Sequence, residues 1–162
     1  GFRAPFPVTV HRLLDRSRLV PGLATADQGG HDWRFSLEEP PGDWRQPDFD
    51  DSAWPTGKLS GKAPRMWLRT NFELPTNPAA MAVRYRCSKD IEIYANGKLL
   101  LQADGSPGDY RRQILSKSQL DLFAPGHNTL AVYARQTTSG QDTGTGIDIG
   151  ISWIEIDPED FE

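Results

Sequence analysis

The chain has 162 residues, 18 Lys and Arg against 22 Asp and Glu, and a formal net charge of −4. That length suits one domain, and the charge gives no global pull toward a polyanion, so nucleic acid is excluded except through a local patch. The longest wholly aliphatic run, Leu99–Leu101, excludes a membrane-spanning helix, and the lone Cys87 excludes an internal disulfide or a multi-cysteine zinc site.

Fifteen Gly and 13 Pro predict many turns joining short elements, while five Trp, four Tyr and seven Phe supply much of the burial. Residues 1–30 are interrupted by Pro5, Pro7, Pro21, Gly22 and Gly29-Gly30 and read as a linker or an extended segment laid over the domain. Trp33 and Phe35 alternate with polar neighbours in a short strand that ends before Pro40-Pro41-Gly42. Nothing between Trp44 and Pro64 is periodic, which marks a long irregular connection. Trp67–Leu74 reads as a strand with Leu68, Phe72 and Leu74 on one face and Trp67, Arg69, Asn71 and Glu73 on the other. Met81, Val83, Tyr85 and Cys87 repeat the period of two, which gives Cys87 a packing role.

Ile91 to Leu100 holds Asn96-Gly97 between two apolar runs, the signature of a hairpin closed by a type I′ turn. Tyr110–Leu115 is a further strand, Ser118–Phe123 a helical turn stopped by Pro125-Gly126, and Leu130, Val132 and Ala134 mark another strand. After the Gly-rich loop Ser139–Gly146, Ile147, Ile149, Ile151 and Trp153 face one way and Asp148, Gly150 and Ser152 the other. The whole reads as an all-β antiparallel β-sandwich over residues 31–157, with an N-terminal segment 1–30 and an acidic tail 158–162.

Five stretches in this order, Phe49-Asp50-Asp51-Ser52-Ala53-Trp54, Trp67–Pro75, Ile93–Gly97, Pro125–Val132 and Ile147–Ile151, carry a resemblance. The chain resembles the galactose-binding-like jelly-roll domains of bacterial glycoside hydrolases, including the sugar-binding domain of β-galactosidase-type enzymes, over about residues 31–156. The resemblance implies a jelly roll, a secreted, extracellular or periplasmic setting, a catalytic domain elsewhere in the parent chain, and often one structural Ca²⁺. Asp27, Asp32, Asp50 and Asp148 are the carboxylates expected to supply oxygens to that ion, although no D-x-D-x-D-G loop is present. Gly1-Phe2 in place of a starting Met fits a piece of a longer protein.

Physical chemistry gives most of these motifs a structural role. Asp51 and Ser52 are placed to cap a turn ahead of Trp54, and Arg69, if buried, needs an acceptor such as Asp50 or Asp51. No G-x-S-x-G elbow, H-E-x-x-H helix, P-loop or G-x-G-x-x-G occurs, and His11, His31 and His127 lack metal-ligand spacing, so no catalytic residue is assigned. Sugar recognition needs aromatic faces and polar groups. The candidates are Trp54 in the long connection, Trp67 on the polar face of its strand, Tyr110, Arg111 and Arg112 at a loop exit, and Gln141 and Asp142 in the Gly-rich loop. Two of the five Trp are expected at the surface. The sequence therefore predicts a non-catalytic carbohydrate-binding or accessory domain whose partners are a glycan and a parent catalytic domain; the alternative is a module that docks onto a neighbouring domain without a ligand of its own.

Overall fold

A computed structural model describes residues 18–28, 30–57, 63–74, 78, 80–106, 108–136 and 147–155. The strands are β1 (Arg18–Leu23), β2 (Trp33–Ser36), β3 (Thr56–Gly57), β4 (Arg65–Leu74), β5 (Met81–Arg86), β6 (Asp90–Ala95), β7 (Lys98–Ala103), β8 (Arg111–Ile114), β9 (Gly126–Arg135) and β10 (Asp148–Glu155). A 3-10 turn, Ala26–Gln28, follows β1, and one short helix, α1 (Lys117–Leu120), precedes β9. The strands pair antiparallel in a four-stranded sheet, β1-β10-β5-β8, and a six-stranded sheet, β3-β2-β4-β9-β6-β7. This is the antiparallel β-sandwich that the alternating pattern predicts.

Period-two alternation builds the core. Leu101, Ile93, Val132, Leu68 and Phe35 lie in register across five strands of the larger sheet. Leu23, Ile151 and Val83 form a matching row in the smaller one. The first four of the larger sheet's row are buried, as are all three of the smaller sheet's, and both rows belong to one apolar cluster between the sheets. The Asn96-Gly97 turn has φ of +50° and +89°, the pair of positive values that type I′ requires.

The structure departs from the sequence reading at several places. Arg18–Leu23, within the stretch read as a linker or an extended segment laid over the domain, is an edge strand on β10, so the sheet begins before residue 31. The edge position tolerates Pro21, which donates no ladder hydrogen bond, and the register shifts between Pro21 and Leu23. On β10 itself, a Cβ at Gly150 would come within 2.8 Å of the Leu23 carbonyl oxygen, so the missing side chain lets β1 and its turn close down. Thr56–Gly57 adds a two-residue strand inside the connection read as irregular, because backbone pairing to Trp33 and Arg34 needs no apolar periodicity. The helical turn starts one residue earlier than Ser118: Ser116 caps it and Gln119 completes the capping box. The expectation of two surface Trp is not met. Trp33, Trp44, Trp67 and Trp153 are buried and Trp54 is half-buried, since a chain lean in aliphatics uses its indoles for packing.

Candidate functional site

The outward phase of the six-stranded sheet is divided in two by the connection between β2 and β3. One half is covered. Arg69, on β4 and only 2% exposed, donates from Nε to Asp51 Oδ2 at 2.8 Å, from Nη1 to the carbonyls of Trp44 and Gln46, and from Nη2 to that of Phe49. Of the two acids offered by sequence, Asp51 is the partner; Asp50 instead accepts the Ser52 amide. These bonds draw the connection down so that Trp44, Trp67 and Ala131 form a second apolar cluster, flanked by Phe49, Trp54, Tyr94 and Tyr133. A Cβ on Gly97 would meet the Gln46 side chain at 2.6 Å, so the hairpin glycine also gives this connection room.

The other half is open. With Ile91 and Ile93 pointing into the core, Asp90 and Glu92 must point out. Gln102 on β7 lies opposite Glu92, while Tyr133 and Arg135 on β9 lie opposite Glu92 and Asp90. Together with Asp104 these side chains line a cleft of about 340 Å³. Its walls offer both signs of hydrogen bonding: carboxylate acceptors at Asp90, Glu92 and Asp104, and donors at Gln102 and Arg135.

Several of these groups are braced from behind. Asp90 Oδ1 accepts the Gly105 amide at 2.7 Å, and Glu92 Oε1 accepts the Tyr94 hydroxyl at 2.7 Å. Burial, with help from Glu92, pushes the Tyr94 phenol up to about 12. Arg65 Nε donates to the Tyr133 hydroxyl at 3.0 Å, and its Nη2 donates to Glu39 Oε1 at 2.8 Å. The Arg65 guanidinium sits 4.7 Å above the Trp67 ring and 5.7 Å from that of Tyr133.

The residues singled out from sequence fall in different places. Trp67 lies on the outward phase as expected, yet is 4% exposed beneath the connection and Arg65. Trp54 packs edge-on against Phe49 at 5.7 Å. Tyr110, Asp27 and Asp148, named for two separate roles, converge around Arg84 on the outer face of the four-stranded sheet. Arg84 donates to both Asp27 oxygens at 2.6 and 2.8 Å, and its guanidinium lies 3.7 Å over the Tyr110 ring. Both Asp148 oxygens accept the Ala26 amide, and Oδ2 also accepts the Tyr110 hydroxyl. The Arg84 hydrogen bonds hold the Asp27 carboxyl down at about 2. Arg111 stacks on Tyr85 at 4.7 Å and Arg112 is exposed. Gln141 and Asp142 lie outside the described residues.

The four carboxylates proposed for Ca²⁺ do not fit a cation site. Asp27 is taken up by a guanidinium, Asp148 by an amide and a phenol, Asp50 by a turn amide, and Asp32 lies ahead of β2 on the other sheet. Among the described residues no three His, Cys, Asp or Glu are grouped to hold a metal ion. The cleft residues Asp90, Glu92, Gln102, Asp104, Tyr133 and Arg135 escaped the sequence reading. Their one signal was an aromatic, Tyr133, on the polar phase of its strand.

No family model matches the sequence. An alpha-L-rhamnosidase of Streptomyces avermitilis is 31% identical over 121 residues, covering 62% of this chain and 12% of that protein. Among solved structures, a beta-glucuronidase of Bacteroides uniformis superposes with a TM-score of 0.62 at 20% identity, over 85% of this chain and 18% of that one. A glycosyl hydrolase family 2 member from Bacteroides cellulosilyticus gives 0.58 at 16% identity, over 76% and 20%. A beta-glycosidase from Bacteroides vulgatus gives 0.56 at 16%, over 83% and 20%. The sandwich is a fold carried within glycoside hydrolases. The chain spans 12% of the curated relative and about a fifth of these solved chains. Among the described residues no helix is long and apolar enough to cross a membrane.

Proposed function

We propose that this chain is a non-catalytic accessory module, of the galactose-binding-like kind, in a larger secreted carbohydrate-active enzyme, and that it holds a neutral sugar in the cleft between β6, β7 and β9. The observation that carries the reading is the cleft itself, in which acceptors from Asp90, Glu92 and Asp104 face donors from Gln102 and Arg135 beside the Tyr133 ring. Sugar hydroxyls both donate and accept, so mixed walls of this kind match them better than a purely acidic or basic surface does. The sandwich relatives within glycoside hydrolases supply the context of a parent enzyme. Two of the three carboxylates already brace the main chain or a phenol, a positioning duty that suits binding better than proton transfer. Affinity at one such site is weak, and tethering to a catalytic neighbour makes it useful by raising the effective concentration.

Calorimetry of the 162-residue chain against glucose, galactose, mannose, rhamnose and their short oligomers tests this. The expected Kd is about 0.1–1 mM for the best sugar, roughly −4 to −5.5 kcal/mol, weakened several-fold by Gln102→Ala and by Asp104→Ala. Absence of heat from every sugar removes the binding half and leaves the docking alternative. Release of reducing ends by the chain alone removes the non-catalytic half.

A further inference from the structure

Resting on the cleft reading, we infer that Arg65 is a movable cover over a second saccharide subsite whose floor is the Tyr133 and Trp67 rings. Gln102, Glu92, Tyr133 and Trp67 stand in register on four adjacent strands, β7, β6, β9 and β4. At about 4.8 Å between strands the row runs roughly 14 Å, more than one pyranose needs. The first three of these side chains line the cleft. The fourth packs against the third: the Trp67 and Tyr133 rings are 5.3 Å apart and inclined by 30°, a tilted, offset pair whose rings both lie next to Arg65.

The connection between β2 and β3 seals part of Trp67, and over the rest of this pair lies the Arg65 guanidinium, 4.7 Å from the centre of the Trp67 ring. A flat group at that height occupies the position a sugar ring takes when its apolar face stacks on an indole. The cover is loosely held. Arg65 and its partner Glu39 have side chains 49% and 69% exposed, and an ion pair so open to water contributes little. The remaining bond, from Nε to the Tyr133 hydroxyl, is one that a sugar hydroxyl replaces when the guanidinium swings out. A monosaccharide in the cleft leaves Arg65 in place, whereas a longer chain extending along the row displaces it. Arg65 thereby sets a length preference.

The test compares wild type with Arg65→Ala and with Glu39→Gln, which loosens the cover while leaving both rings intact. Acrylamide quenching of tryptophan emission, with no ligand present, is expected to rise in Arg65→Ala as Trp67 opens to solvent. Titration with galactose and with galactotetraose is expected to show unchanged galactose affinity in Glu39→Gln. Tetrasaccharide affinity should rise about tenfold in Arg65→Ala and two- to threefold in Glu39→Gln, and tetrasaccharide binding alone should perturb Trp emission. Unchanged quenching, or tetrasaccharide affinity that stays level or falls in Arg65→Ala while galactose still binds, overturns the cover and leaves the cleft standing. Failure of galactose, glucose, mannose and rhamnose, and of their oligomers, to bind the wild-type chain overturns the cleft reading and this inference with it.

Discussion

Replacing Arg69 by Met is expected to be the most damaging single change on the outer face. The side chain is 2% exposed and its guanidinium satisfies one carboxylate and three carbonyls, those of Asp51, Trp44, Gln46 and Phe49. Met fills a comparable volume but returns nothing to these acceptors. The carboxylate is partly exposed and recovers water, whereas the Trp44 carbonyl is held in a buried bond. Removing one partner from a buried ionic arrangement costs about 3–5 kcal/mol, and for a domain of this size that lowers Tm by roughly 6–20 °C. Arg69→Lys keeps the charge but reaches fewer acceptors and is expected to lose about half as much, since it lacks the planar fork. Urea unfolding followed by tryptophan emission reads the loss, because Trp44 and Trp67 lie in the cluster that the connection seals. Limited proteolysis locates it: cleavage within residues 37–55 is expected to accelerate. An Arg69→Met variant that unfolds within 1 °C of wild type and keeps its resistance to protease refutes the view that this guanidinium pins the connection to the sheet.

Three further outcomes follow from the same reasoning. Asn128 is fully buried; its Nδ2 donates to the Ala124 and Gly126 carbonyls, and its Oδ1 accepts the Ala124 amide and the Asn96 Nδ2. Asn128→Ala orphans several of these groups and is expected to cost at least about 2 kcal/mol in urea unfolding. Asp27 is held at about 2 in the folded chain, chiefly by hydrogen bonds from Arg84, against 3.8 for the free group. Its contribution is therefore present above pH 3.8 and lost as pH falls toward 2, so Asp27→Asn is expected to flatten the acid limb of stability in that window. Burial and then a carboxylate partner push Tyr94 and Tyr110 up to about 12 from 10.0. Their contribution is present below pH 10 and lost as pH climbs to 12, and absorbance titration at 295 nm should show a late component that Tyr94→Phe and Tyr110→Phe each reduce.

Legibility from sequence followed the range of the forces involved. The Asn96-Gly97 hairpin was plain because two adjacent positive φ values are a local demand that few residues meet. The core strands were plain because one face of each is apolar. The need of Arg69 for an acid was plain too, and Asp51 supplies it. Less was visible where backbone atoms decide. The Thr56–Gly57 strand rests on pairing with Trp33 and Arg34, and main-chain groups are present at every residue. The same holds for the cleft: Asp90, Glu92, Gln102 and Asp104 read as ordinary solvated positions of an alternating pattern. Which outward residues stay open depends on how far the connection from β2 reaches, and that is set by three carbonyls binding Arg69. Trp67 was misjudged as surface for this reason, being outward in phase but roofed by a segment 13 or more residues away in sequence.

Arg65 and Arg69 make the division between fixed and movable parts testable on one strand. Both point outward from β4, four residues apart, and both lie against aromatic rings: Arg65 over Trp67 and Tyr133, Arg69 over Phe49. They differ in what surrounds the charge. Arg69 is desolvated, and its partners exist to offset that cost, so losing it leaves polar groups stranded. Arg65 keeps half of its side chain in water and is paired with an acid more exposed than itself. Arg65→Ala is therefore expected to change unfolding free energy far less than the range of about 3–5 kcal/mol that applies at Arg69. The protease pattern should diverge in the same way, with cleavage between residues 37 and 55 nearly unchanged in Arg65→Ala. Equal destabilisation at the two positions, by urea unfolding, would mean that Arg65 is as integral to the outer face as Arg69, and a guanidinium held that firmly cannot give way to a sugar.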